Sequence, residues 1–394
     1  MNSDPSLRLP QPGPRGPGRR GTRALVLGAL AGLWLGGSAG AGEPPALAVS
    51  LARNGTLQFQ TLPGCTNYVV EWAPTVHGPW SRSWDALKDL RPAGPQMTVA
   101  VPMFYRVVAL GHGIPVPPGM KYVGPGEFLM GDEHGLEPDA LPTRTVNVSA
   151  FFMDRFEVTK ARWDEVRAWA VAHGYVFDSA GAGATDQHPV SNVTWHDALK
   201  WCNARSEQEG LAPVYFTDAT RQTVLRTGTP DLGNAAVDWT ADGYRLPTEA
   251  EWEKAARGGL TGSHFPWPSP DADHLAQITG EQANFWGSGD PYDNGATPVG
   301  YYDGHQSIGG RDMANGYGLY DLAGNVAEMC WDRWAAYPPG AVTDPRGPDT
   351  GAARVMRGGS WYDNPEWLRC AARRSFLPGS RGAHLGFRCV RRAP

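Results

Sequence analysis

Apolar residues fall into helical spacing in only three stretches of the chain. The first follows Thr159, a candidate cap, and runs through Trp163, Val166 and Trp169 to His173 before Gly174. The second follows Thr194, with Asp197 at the capping-box position. Trp195, Leu199 and Cys202 then share one face at i, i+4 and i+7, and Gly210 ends the run. The third follows Thr248, with Glu251 three residues on, and closes at Gly258-Gly259. The rest of the region from Met120 on, about 200 residues, reads as short strands and long loops, which need tethers such as disulfides or metal ions. Residues 44–112 have a different pattern. Ala46 to Leu51, Thr56 to Thr61, Tyr68 to Ala73, Met97 to Val101 and Phe104 to Ala109 are short β-rich runs punctuated by Gly, Pro and Asn. They predict a small all-β module that serves packing or interaction. Residues 113–119 (GIPVPPG) form a stiff connector to a domain spanning 120–392.

The first 41 residues stand apart. Arg8, Arg15, Arg19, Arg20 and Arg23 lead into the apolar run Ala24 to Leu35, and Ala39 and Ala41 sit in an A-x-A arrangement. This is the layout of a signal peptide over 1–41, with an uncleaved anchor as the alternative. Arg19-Arg20 hints at twin-arginine export. No second apolar stretch follows, so no membrane span is expected after cleavage. The body is expected to be exported, to the periplasm or the extracellular space, where disulfides persist and calcium is plentiful.

Composition narrows the class further. The 394 residues include 50 Gly, 35 Pro and 16 Trp, and only 19% are charged. Such a chain is not a coiled coil, a helical bundle or a helical repeat. With 41% hydrophobic and 10% aromatic residues it is not wholly disordered either. The net charge of −5, with no basic stripe, argues against a nucleic-acid partner. Five cysteines leave at least one unpaired within the chain; Cys65 has no evident partner in its module. P-loop, dinucleotide and G-x-S-x-G signatures are absent. His188, His196, His305 and His384 are scattered, with no helical ligand spacing and no HxxxHxE string.

Seven strings, in order, carry a family pattern. They are Gly126–Gly131 (GEFLMG), Phe156–Thr159 (FEVT), His188–Trp195 (HPVSNVTW), Arg245–Glu253 (RLPTEAEWE), Tyr317–Glu328 (YGLYDLAGNVAE), Arg357–Trp361 (RGGSW) and Leu385–Cys389 (LGFRC). Together they resemble the formylglycine-generating enzyme family, also called sulfatase-modifying factors, over residues 118–392. The resemblance implies an α+β, loop-rich fold akin to the C-type lectin fold. The same domain occurs in ergothioneine-type sulfoxide synthases and a pyoverdine-maturation protein, so fold alone does not set the chemistry.

In the namesake enzyme, copper held by two cysteines activates oxygen to oxidise a cysteine in a CxPxR segment; soft thiolates suit Cu(I). Those cysteines belong between the GGS turn and the CAAR string. Here the interval reads Ser360 to Cys370 (SWYDNPEWLRC), with Asp363 where the first cysteine would fall and none before Cys370. Copper is therefore not expected, and Ser360 and Asp363 are the groove candidates. The family resemblance further implies two calcium sites. One would use Asn284 and Asp290 by side chain with Phe285 and Tyr292 by carbonyl. The other would use Asp321 and Glu328 by side chain with Gly324 and Val326 by carbonyl. It also implies a Cys202–Cys389 disulfide. The usual partner position of Cys370 is Ala256 here; Cys330 either replaces that partner or both thiols stay free.

The expected function is an exported scaffold that has kept the domain and lost copper-thiolate chemistry, binding peptide, glycan or an envelope protein. A family oxidoreductase with an unrecognised metal site, of formylglycine-generating or non-haem type, is the alternative. An envelope structural protein carrying two interaction modules is a third reading.

Overall fold

Each of the three expected helices starts on a threonine whose hydroxyl accepts a backbone N–H of the first turn. Thr159 accepts from Arg162 at 3.2 Å and opens α1 (Lys160–Ala172). Thr194 and Asp197 form a reciprocal capping box at α2 (Trp195–Gln208), and Thr248 and Glu251 form another at α3 (Glu249–Arg257). Gly258, left-handed at φ 58°, ends α3. The computed structural model describes residues 115–268, 278–292, 294–306 and 310–394, with the backbone of five strands between residues 46 and 109.

Helix α2 departs from the expected one-sided pattern, because every residue from Trp195 to Ser206 is buried. Its polar residues are the reason. Asn203 accepts the backbone N–H groups of Val214 and Tyr215 and donates to the carbonyls of Tyr215 and Leu225. Lys200 pairs with Asp197 at 3.1 Å and Asp178 at 3.3 Å. The helix thus holds loops on the side that the sequence pattern leaves to solvent.

Short strands make three small sheets around these helices. In the first, β6 (Met120–Val123), β9 (Phe151–Asp154), β16 (Val390–Arg392) and β10 (Tyr244–Arg245) are antiparallel neighbours in that order. The second runs β14 (Arg373–Phe376), β13 (Arg354–Arg357), β11 (Ala327–Arg333) and β15 (Leu385–Gly386), the last pair parallel. The third joins β7 (Gly126–Met130), β8 (Arg144–Val148) and β12 (Val342–Thr343). Trp163, Trp195, Trp201 and Trp331 fill one core between α1, α2 and the sheets. A second core lies against α3 and contains Trp252, Ala256, Cys330 and Cys370. Burying indoles of this size is the dominant apolar gain for a domain with so little regular structure.

In the amino-terminal region, β1 (Ala46–Leu47), β5 (Phe104–Ala109) and β4 (Tyr68–Ala73) pair antiparallel. There β2 (Val49–Leu51) pairs with β3 (Leu57–Phe59). Four of the five β-rich runs contain strands. The run at 97–101, the segment 1–41 and Cys65 lie outside the described residues. Among the described residues no helix is long and apolar enough to cross a membrane.

Candidate functional site

Strand β13 runs into Gly358 and Gly359, both left-handed, at φ 89° and 63°. A Cβ on Gly359 would stand 2.8 Å from the Trp367 carbonyl oxygen, so the chain can fold over the Pro365–Leu368 turn only with glycine there. This places Ser360 fully buried beneath a tight turn. Its Oγ donates to Asp363 Oδ2 at 2.5 Å, and the Asp363 N–H donates to the Ser360 carbonyl at 3.0 Å. The other oxygen of Asp363 pairs with Arg374, whose guanidinium lies 4.0 Å from the Trp367 ring centroid.

Asp363 is therefore not a free carboxylate. As a groove candidate it has no oxygen left for a ligand, because Ser360 and Arg374 already use both. Around this neutralised centre the surface is aromatic. Trp286, 62% exposed, donates its backbone N–H to the Asp363 carbonyl at 3.0 Å. Tyr362 is 64% exposed and stands between Trp361 and His384. The site offers flat rings and one partly exposed guanidinium, a surface suited to recognition.

The four described cysteines are fully buried. Cys202 and Cys389 bring their Sγ atoms to 3.6 Å, as thiols. Cys330 and Cys370 sit in the same core behind α3. Burial pushes the Cys370 thiol up to about 12 and also raises the Cys330 thiol well above its ordinary range. Both favour the protonated form, a poor ligand for soft metals.

The loops expected to bind calcium meet one another. Asn325 N–H donates to the Asn284 carbonyl at 3.0 Å, and Asn325 Oδ1 accepts from Thr297 N–H at 2.9 Å. Asn284 is buried; its Nδ2 donates to the Gly295 carbonyl, and its Oδ1 has no partner among the described residues. Asp290 accepts from Ser288 Oγ, Tyr292 N–H and Tyr302 Oη. An orphaned buried amide oxygen, on a loop that also carries the buried Asp290 carboxylate, is a donor type that fits a hard cation. Among the described residues no three His, Cys, Asp or Glu side chains cluster as a metal site, which leaves carbonyl and amide oxygens as the further donors.

The second loop carries residues not nominated from the sequence. Both Glu328 oxygens are taken by Arg388, with a shortest contact of 2.6 Å, and Oε2 also accepts from Trp252 Nε1. Glu328 is committed to a guanidinium. Asp321 accepts from Gly300 N–H at 2.6 Å, while Glu157 accepts from Asn325 Nδ2 and Val326 N–H. Burial lifts the Asp321 carboxyl to about 6 and raises Glu157 well above its usual range; the Asp321 charge adds to the rise at Glu157, while a hydrogen bond with Glu157 holds Asp321 partly down. Buried Glu157 and Glu328 and half-buried Asp321 face one arginine, and this acidic surplus fits a divalent cation through Asp321 and Glu157 better than through Glu328. Glu157 and Arg388 lie within the FEVT and LGFRC strings, so the signal was present in the motifs but not their pairing.

This architecture, with glycine turns over a small buried polar centre and two loops tied by backbone and amide bonds, is that of a sulfatase-modifying factor domain. Residues 114–393 match the sulfatase-modifying factor enzyme 1-like domain. The formylglycine-generating enzyme of Thermomonospora curvata is 35% identical, over 69% of this chain and 93% of that one. The chaperone protein LppX of Paenibacillus barcinonensis is 31% identical, over 63% of this chain and 82% of that one. Among solved structures, Treponema denticola variable protein 1 superposes with a TM-score of 0.53 and 29% identity, covering 77% of this chain and all of that one. The chain belongs to the sulfatase-modifying factor family.

Proposed function

We propose that this protein is an exported, non-catalytic member of its family, which binds an extended peptide, a glycan or a partner protein through the aromatic surface around Asp363. The reading rests on one observation: the interval from Ser360 to Cys370 contains no cysteine before its end, and the Asp363 carboxylate in that interval is bound by Ser360 and Arg374. A copper-dithiolate centre needs two deprotonated sulfurs at bonding distance. Exposed Trp286 and Tyr362 supply the ring faces that sugars and extended peptides stack on. A relative bearing the name chaperone is consistent with use of this domain outside catalysis. Calcium, bound through the Asn284 and Asp321 loops, would be structural.

The test is incubation of the purified protein with a CxPxR peptide, copper, oxygen and a reductant, followed by mass spectrometry. The peptide cysteine is expected to stay unmodified while the peptide or a glycan array member is retained. Conversion of that cysteine to formylglycine, absent from a no-protein control, would restore the oxidoreductase reading that the 35% identity to formylglycine-generating enzymes favours.

A further inference from the structure

A cleft of about 230 Å³ opens on another part of the domain and shares no lining residue with the Ser360–Asp363 turn. It lies where the β8–β9 turn, the loop before β10, the start of α3, the segment after β12 and the end of β16 meet. Two carboxylates face it, and both are spent. Glu251 takes Arg245 in a two-pronged pair at 2.6 and 2.7 Å and also accepts Thr248 N–H. Asp344 accepts the Ser149 N–H and hydroxyl, each at 2.7 Å.

Two of the lining cations are not spent. Arg346 holds its guanidinium 4.4 Å from the Trp239 ring centroid, yet among the described residues it has no ion pair or hydrogen bond through its side chain. Arg392 lines the cleft, is exposed, and is equally unpaired among the described residues. Lys254 lies beneath the wall, donating to the carbonyls of Gly126 and of the lining residue Val148, with no carboxylate among the described residues within ion-pair distance. Arg245, Arg346, Arg392 and Lys254 therefore stand against only Glu251 and Asp344.

A guanidinium stacked on an indole is held in place with its N–H fork unused. That arrangement lowers the ordering cost of a charge-assisted, two-pronged contact to an oxyanion. Burial and the neighbouring Arg245 also hold Arg346 below its ordinary range, a strain that a bound anion relieves. Trp239 is itself shared, with Arg245 at 5.4 Å from the ring centroid, so the ring links the buried ion pair to the open cation.

We propose that this cleft is a second binding site, for a small ligand carrying a carboxylate or sulfate oxyanion on a body about the size of a sugar ring. Arg346 is the primary contact and Arg392 the second; Trp239 orients Arg346, and its half-buried ring lines the cleft beside the body of the ligand. The site is independent of what the aromatic surface around Asp363 does.

The experiment titrates the whole protein with glucuronate, glucose 6-sulfate, glucose and inorganic sulfate, by calorimetry and tryptophan fluorescence at low and high salt. Glucuronate or glucose 6-sulfate is expected to saturate the protein, more weakly at high salt, and glucose is not. The double variant Arg346→Ala, Arg392→Ala is expected to lose at least about tenfold in affinity. Both side chains lie at the cleft surface, so an unchanged melting curve is the control for folding. Whichever charged sugar binds identifies the oxyanion. Four results overturn the proposal: no saturation by either charged sugar at millimolar concentration, equal binding of glucose, equal binding of inorganic sulfate, or full affinity in the double variant.

Discussion

At the scale of single residues, most buried polar groups are paired, and both the pairs and the exceptions carry predictions. Ser360 Oγ is the buried donor to Asp363, so Ser360→Ala leaves a carboxylate oxygen unsatisfied. A loss of about 1–3 kcal/mol in urea unfolding is expected; an unchanged midpoint would show the turn is held without it. Asp332 is a different case. Burial, reinforced by Glu249, lifts its carboxyl from 3.8 to about 8. The folded protein then binds more protons than the unfolded chain between those values, so the contribution of Asp332 to stability falls as pH rises through that window. Below it the effect vanishes. Asp332→Asn is expected to match the wild type in acid and to gain on it steadily toward pH 8, read as urea midpoints. Parallel profiles for the two proteins would remove Asp332 from the pH dependence.

Elements show what local sequence can and cannot say. The helix starts were legible because capping acts within one turn: a threonine opens each helix, and at α2 and α3 an acidic residue three positions later completes the box. Thr248→Ala is accordingly expected to cost about 1 kcal/mol and Thr248→Ser much less, measured as melting temperature. The full burial of α2 was not legible, since Asn203 is polar only in order to hold two loops. Loop contacts were hidden in the same way. Glu328 appeared as a loop acid, and its partner Arg388 comes from 60 residues away. Gly324 exposes this long-range fit most sharply. It is left-handed at φ 85°, and a Cβ there would stand 2.1 Å from the Asn284 carbonyl oxygen. Gly287 is left-handed too, at φ 71°, but with nothing within 4 Å. Gly287→Ala is expected to cost the strain alone, about 1–2 kcal/mol. Gly324→Ala should cost clearly more, because the two loops must part. Equal losses in chemical unfolding would mean the loops are not in tight register.

For the whole molecule, the tethers between distant segments matter more than any one element. If the Asn284 and Asp321 loops hold calcium, chelation with EDTA is expected to lower the melting temperature, and restored calcium to return it. Identical melting in both conditions would take calcium out of the account. The thiols of Cys202 and Cys389 face each other across 187 residues of sequence. Oxidised, they would close a loop worth about 5 kcal/mol on a chain-entropy estimate. Peptide mapping without reduction reads this directly, and alkylation of Cys202 in the native unreduced protein would show the bond is not made. The seven-string pattern made the fold legible at this scale, because it is a property of order along the chain. The neutralisation of Asp363 by Arg374 was not, because it depends on how β14 lies beside the turn.

The first sheet carries a consequence for biosynthesis. Its order places β16, the last strand of the domain, between β9 and β10, and β9 in turn beside β6, the first. The sheet cannot close until residues 390–392 have been made. At a ribosomal rate of roughly 5–20 residues per second, the domain's nascent chain spends on the order of 15–50 s with an unpaired strand edge and an exposed tryptophan core. A polypeptide in that condition is accessible to holding chaperones for the whole of that interval, and its core can close only once synthesis of the domain is complete.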